Sequence, residues 1–224
     1  MAGIQYNFYE CINPDCELRF PGYESGPRWN RCPRCRANTR LVAKVGTLSR
    51  QQSNIKVNKS GKLIALLDNI RSAWNVGSIF RTADGFGIGK IFLCGISPTP
   101  ENHKLAKTAL GAELSVPWEY FTNGVKLTKD LKSQGYALCA LEDYPGATPL
   151  FQVDVSPIIV PLVLIAGNEV CGIDPEIIAH CDQVISIPMY GKKQSYNVAI
   201  AFGIALSFLS YRLNEITPDR SGHS

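Results

Sequence analysis

Gly191–Leu209 reads GKKQSYNVAIAFGIALSFL. A polar, glycine-led loop runs straight into a long apolar helix, with an asparagine at the joint. Ser195 and Asn197 both suit a helix start, because their side chains can accept from the backbone N–H groups that a first turn leaves without partners. After Asn197 the apolar residues leave almost no polar side: Val198, Ile200, Phe202, Ile204, Leu206 and Phe208. Such a helix is expected to be buried all round, in a core or in a subunit interface. Where a polar loop feeds a helix of that kind, a functional site is expected.

Working outward, strands and helices alternate after Gly61. Strands are predicted at Leu63–Leu67, Ile91–Cys94, Tyr136–Leu141, Val160–Ala166 and Val184–Ile187. Helices are predicted at Asn75–Phe86, His103–Leu110, Lys126–Gln134 and Pro175–Cys181, before the final one. Continuous apolar strands set between helices predict an α/β fold with a parallel sheet covered on both faces. The 224 residues hold one full domain and a small one, and 45% hydrophobic content is ample for a core. Residues 46–60, GTLSRQQSNIKVNKS, lack bulky apolar runs and read as a linker. The expected divisions are therefore 1–45, a linker at 46–60, the main domain at 61–213 and a tail at 214–224. MAGIQYNFYE has neither the basic start nor the apolar run of a signal peptide, and Val198–Leu209 is too short to cross a bilayer. No membrane partner and a cytoplasmic location are expected.

Cys11, Cys16, Cys32 and Cys35 form C-x4-C-x15-C-x2-C. Two close pairs separated by a loop are what a tetrahedral four-thiolate zinc site needs. The segment is too short to build a core of its own, so metal would supply folding energy. Disulfides are the alternative, and a cytoplasmic setting argues against them. Four thiolates leave no open position, so the zinc is expected to be structural. Arg28, Arg31, Arg34, Arg36 and Arg40 gather round the second pair, with Trp29 and Tyr23 nearby. Arginine interleaved with aromatics suits phosphates and unpaired bases. The bland alternative is a solvated basic face whose Trp packs the small module. Charge is placed to match: residues 1–60 hold ten Lys and Arg against four Asp and Glu, and residues 61–224 hold thirteen against fifteen. A basic appendage on a near-neutral domain suggests an anionic partner.

The remaining cysteines, Cys94, Cys139, Cys171 and Cys181, read as small buried hydrophobes. The three histidines, His103, His180 and His223, accompany no Ser or Cys motif, which argues against triad hydrolysis. No G-x-G-x-x-G follows a strand; GFGIGK at Gly85–Lys90 ends a helix and reads as a turn.

Three segments recur together in a known family. They are LDNIRSAWNVGSIFRTADGFG at Leu67–Gly87, LIAGNEVCGI at Leu164–Ile173 and IPMYGKKQSYNVAIAFG at Ile187–Gly203, with KTALGAE at Lys107–Glu113 between the first two. In order and spacing they resemble the motifs of TrmH-type (SpoU) RNA 2′-O-methyltransferases, a branch of the SPOUT superfamily, over residues 61 to 213. The resemblance implies S-adenosyl-L-methionine as cofactor, RNA (tRNA or rRNA) as substrate, a homodimer, and a C-terminal trefoil knot in the sheet domain.

It also implies roles. Arg81, which lies opposite the helix face of Val76, Ile79, Phe80 and Ala83, matches the catalytic arginine. A helix-surface salt bridge is its structural alternative. Asn75, Glu169 and Asn197 complete the polar set, and for the two asparagines helix capping is the structural alternative. Gly167, Ile187, Met189 and Tyr196 match the cofactor-binding positions, mostly through backbone groups, although leucine is commoner than Tyr196. Lys192 and Lys193 would touch RNA phosphate or simply be solvated. Long helical RNA-binding extensions are lacking, which leaves that task to the zinc module. Two rivals remain: a SPOUT enzyme that methylates a base, and a non-catalytic zinc-ribbon adaptor that binds RNA.

Overall fold

The computed structural model describes residues 6–23, 27–44, 63–156, 158, 161–193 and 195–216. The predicted linker at 46–60 and the side chains of Tyr23 and Arg28 lie outside the described residues. The chain divides into two compact units, Met1–Lys56 and Val57–Ser224.

In the first unit, strands β1 (Tyr6–Cys11), β2 (Arg19–Tyr23) and β3 (Thr39–Lys44) form an antiparallel sheet in the order β2-β1-β3. Sequence reading foresaw none of these strands. Tyr9, Phe20 and Trp29 pack together, with ring centroids 6.0 to 6.5 Å apart. Trp29 also closes over Gly22, where an added Cβ would meet its ring at 2.7 Å. The structural alternative for this Trp is thus the one realised: it packs the module.

The second unit carries a seven-stranded sheet in the order β6-β5-β4-β9-β7-β10-β8, parallel throughout. Its strands are β4 (Leu63–Asp68), β5 (Ile91–Cys94), β6 (Trp118–Phe121), β7 (Ala137–Leu141), β8 (Thr148–Pro149), β9 (Leu162–Ala166) and β10 (Gln183–Ser186). The helices are α1 (Ala73–Phe86), α2 (His103–Ala109), α3 (Ala112–Ser115), α4 (Gly124–Ser133), α5 (Pro175–His180) and α6 (Val198–Ile216). The α/β parallel sheet expected from the apolar strands is present.

Period-two alternation splits β4 and β9 between two cores. Leu63, Ala65, Leu67, Leu162 and Leu164 face α1, α2 and α6, among Ile79, Phe80, Leu105 and Phe202. Ile64, Leu66, Val163 and Ile165 face α4 and α5, among Leu127, Leu131 and Ile177. Both faces are covered, so every residue of these strands must be apolar until the C-terminal edge, where Asp68 follows Leu67. Burial pushes the Asp68 carboxyl up, and its oxygens accept from Asp174 N at 3.1 Å and Asn69 Nδ2 at 2.8 Å.

Two expectations need correction. Helix α1 begins at Ala73 rather than Asn75, because Ser72 is the N-cap and its hydroxyl accepts from Asn75 N at 3.3 Å. Within one chain helix α6 is covered in part: Phe202, Leu206 and Leu209 are fully buried, and Ile200 is 57% and Tyr211 66% exposed. It runs to Ile216. Cys171 is exposed in the loop after β9, unlike buried Cys94 and Cys139.

Candidate active site and metal centre

Loops after β4, β7, β9 and β10 all leave the C-terminal edge of the sheet, where parallel α/β sheets place ligands. Those after β7, β9 and β10 wall a cavity of about 460 Å³. Gly167, Ile187, Met189 and Tyr196 all line it, as do Glu169 and Asn197. Sequence reading missed Glu142 and Asn168, which also line it. Ser195, read only as a helix-start residue, faces the same space.

The β9 loop is folded tightly by its own sequence. Asn168 and Gly172 exchange backbone hydrogen bonds of 3.0 and 2.9 Å. The Asn168 side-chain oxygen accepts from Val170 N and Cys171 N, and its amide nitrogen donates to Asn69 O at 2.7 Å. Only glycine fits at 167, since a Cβ there would lie 2.4 Å from Gly172 C and Ile173 N. Gly172 has φ +74°, and Glu142 Oε2 accepts from Ile173 N at 3.0 Å. Asn69, at φ +56°, joins a further loop by accepting from Ile96 N at 3.2 Å.

That loop presents Glu169 to the start of α1. Its carboxylate accepts from Arg71 N at 2.8 Å, Ser72 N at 3.1 Å and Asn75 Nδ2 at 2.8 Å. Burial alone would push this carboxyl up; the Arg71 N–H, the Asn75 amide and the Ser72 N–H outweigh it and hold it below its ordinary range. Asn197 Nδ2 donates to Asn75 Oδ1 at 3.0 Å. Asn197 Oδ1 accepts from Ala199 N at 3.0 Å and Ile200 N at 3.3 Å, so it caps α6 while holding Asn75. Asn75, Glu169 and Asn197 are therefore brought together, from positions 94 and 122 residues apart along the chain.

Arg81 is not brought to them. It is exposed, two turns along α1 from Asn75, and makes no hydrogen bond or ion pair among the described residues. Its neighbour Thr82 borders an apolar groove with Phe151, Ile200, Ile204, Phe208 and Tyr211.

In the first unit, the sulfurs of Cys11, Cys16, Cys32 and Cys35 all lie within 4.8 Å of one another. Cys11 and Cys35 are 3.4 Å apart, and Cys16 and Cys32 3.8 Å. Four thiolates bonded tetrahedrally to zinc at ~2.3 Å sit ~3.8 Å apart, so the donor set and its spacing fit that ion. Each knuckle closes on a residue with positive φ, Glu17 at 47° and Arg36 at 64°.

A parallel α/β domain with a loop-walled cavity at its C-terminal edge and an Asn–Glu–Asn cluster on the wall defines a narrow class. The chain belongs to the SpoU rRNA Methylase family, whose model matches residues 62–207. It is 30% identical over 145 residues to the 23S rRNA (guanosine-2'-O-)-methyltransferase RlmB of Neisseria meningitidis, covering 65% of this chain and 56% of that protein. It is 32% identical over 145 residues to the tRNA (guanosine(18)-2'-O)-methyltransferase of Aquifex aeolicus, covering 64% and 66%. Among solved structures, an AdoMet-bound rRNA methyltransferase from Sinorhizobium meliloti superposes with TM-score 0.63 at 28% identity, covering 68% of this chain and 57% of that one. The chain spans about half the length of the first curated relatives it matches. Among the described residues, no helix is long and apolar enough to cross a membrane.

Proposed function

We propose that the chain is an S-adenosylmethionine-dependent RNA ribose 2′-O-methyltransferase acting on tRNA or rRNA. The observation that carries the reading is the hydrogen-bonded chain Glu169–Asn75–Asn197 on the wall of the cavity. Relatives named for 2′-O-methylation of rRNA and of tRNA support it.

The cavity suits the cofactor in size and chemistry. Ile187, Met189 and Tyr196 offer apolar and aromatic walls to a flat heteroaromatic ring, and Glu142 and Asp143 offer carboxylates to hydroxyl or ammonium groups. When bound, S-adenosylmethionine supplies an electrophilic methyl group. The protein's own part is to position the ribose and to stabilise charge on its oxygen. Glu169 fixes Asn75, and Asn75 fixes Asn197, so both amides are held before substrate arrives. Arg81 acts as a hydrogen-bond donor. Its role is to orient the 2′-hydroxyl and stabilise the developing alkoxide, while the proton passes to a phosphate oxygen of the RNA.

Arg81 does not line the cavity of its own chain. The exposed face of α6, with Ile200 and Tyr211, and the groove beside Thr82 give a C2 partner an apolar seat. We assign the homodimer to this face, with Arg81 of the partner subunit beside the cavity. The trefoil knot, the domain limits 61–213, a cytoplasmic location and one structural zinc on Cys11, Cys16, Cys32 and Cys35 belong to the same proposal. So does RNA binding by the module at 1–45, through Arg31, Arg34, Arg36 and Arg40 rather than through packed Trp29.

Purified protein incubated with labelled S-adenosylmethionine and separate tRNA and rRNA pools tests the reading. Label at ribose 2′-oxygens, which makes the adjacent linkage resistant to alkali, is expected in one pool. Label on bases alone, or none despite cofactor binding, overturns it. Arg81→Ala should lower transfer about a hundredfold or more, as loss of one transition-state donor does. Its calorimetric affinity for the cofactor should be unchanged.

A further inference from the structure

Trp74 is 48% exposed, one residue before Asn75, on a helix whose other large apolar residues are mostly buried. It does not line the cofactor cavity or the apolar groove on α6. Arg81 lies seven residues on, so both side chains share one face of α1, about 10 Å apart along the axis. Helix α2 is pressed against this face. A Cβ at Gly77 would lie 2.1 Å from Thr108 Oγ1, and the Thr108 hydroxyl donates to Trp74 O at 3.1 Å. Lys104, one turn before Thr108, shares its side of α2, and Lys107 follows it.

The charge around this tryptophan is uneven. Arg71, Arg81, Lys104 and Lys107 are all exposed, and none forms an ion pair among the described residues. By contrast Lys90, Lys129 and Lys132 pair with Glu119, Glu176 and Asp182. A large exposed ring beside helix positions that carry unpaired cations is poorly suited to a second copy of this chain, whose exposed α6 face is apolar. It suits an unpaired nucleotide, whose base stacks on the indole while flanking phosphates meet the cations.

Given the RNA methyl transfer proposed above, we propose that Trp74 is a stacking anchor for an unpaired base of the substrate RNA, close to the methylated ribose. Arg71, Lys104 and Lys107 hold the flanking phosphates. Trp74 thereby sets a requirement for single-stranded RNA at the reacting nucleotide.

The test uses full-length protein and a short end-labelled oligoadenylate, single-stranded or paired into a duplex. Wild type should bind the single strand more tightly, with quenching of indole fluorescence. Trp74→Ala should weaken single-strand binding roughly tenfold, the size of one lost base stack. It should also lose most of the quenching and raise KM for RNA more than it lowers kcat. Trp74→Phe should restore most of the affinity without the quenching. Replacing Lys104 and Lys107 by Gln should flatten the salt dependence by a slope of about 1.4, two single-strand phosphate contacts. Cofactor affinity should stay unchanged in every variant. Single-strand affinity and KM within twofold of wild type in Trp74→Ala, with quenching intact, overturn the proposal while leaving methyl transfer standing. A wild type that methylates RNA but prefers the duplex overturns it too. A wild type that binds no RNA and captures a protein at this face removes both readings.

Discussion

The two units hold together by opposite means. The first has three packed aromatic rings and four sulfurs within 4.8 Å of one another, and little else that is buried. The second spreads its stability over two apolar layers on either side of one sheet. Stability concentrated at one point is lost in one step; stability spread over dozens of side chains erodes by increments. The difference also decides where function can sit. A site on the sheet edge tolerates strained loops, because the layers beneath hold them.

Metal removal should separate the units most sharply. A chelator is expected to unfold residues 6–44 while the sheet domain stays folded, since structural zinc contributes ~10 kcal/mol or more to such modules. Backbone amide spectra with and without chelator would show it. Loss of the sheet-domain signals at the same chelator concentration would make the comparison wrong. Next in size, Phe202→Ala should cost the sheet domain ~3–5 kcal/mol, because that ring is fully buried between α6 and the sheet. Zinc content should not change. Denaturant titration and metal analysis of one sample give both results.

Smaller still is Asn197→Ala, which removes the oxygen that accepts two cap hydrogen bonds from α6 and should cost about 1 kcal/mol. Activity should fall further than that stability loss explains, since Asn75 loses its partner as well. The smallest expected effect is Glu169 acting through pH. Its folded carboxyl titrates below the ordinary value of 4.5, so its stabilisation is complete above that value. It is lost as pH falls through the folded value. Comparing urea midpoints of wild type and Glu169→Gln at pH 6 and at pH 3, read from sheet-domain amides, isolates the contribution. A difference between the two proteins that does not shrink on acidification would remove it.

Much of this was legible in the sequence. Cys11, Cys16, Cys32 and Cys35 are spaced as two knuckles, and the structure gathers their sulfurs. Strand β9 could be read from an unbroken apolar run, because helices cover both its faces. Strand β6 could not: WEYF is an edge strand with Glu119 and Tyr120 exposed, so it carries no buried pattern. Asn75, Glu169 and Asn197 came from a family resemblance, and no local spacing would have joined residues this far apart. Glu142 and Asn168 escaped notice because they act through backbone partners in other loops, which a linear pattern does not record. The apolar character of α6 was legible, but which side the core covers was not, since composition alone reads alike on every face of such a helix.

The bonds that join Glu169 to α6 all point one way. A carboxylate can only accept, so Asn75 must turn its nitrogen toward Glu169 and its oxygen toward Asn197. Asn197 must then offer its nitrogen, which leaves its oxygen free to face the first N–H groups of α6. A negative charge thus orients two amides in the same sense as the capping of a helix that begins 29 residues later in sequence. The far end is pinned as well, because the N–H groups of Ala199 and Ile200 can only donate and hold the Asn197 oxygen toward them. The charge works as a direction marker for the site, over and above any attraction it exerts.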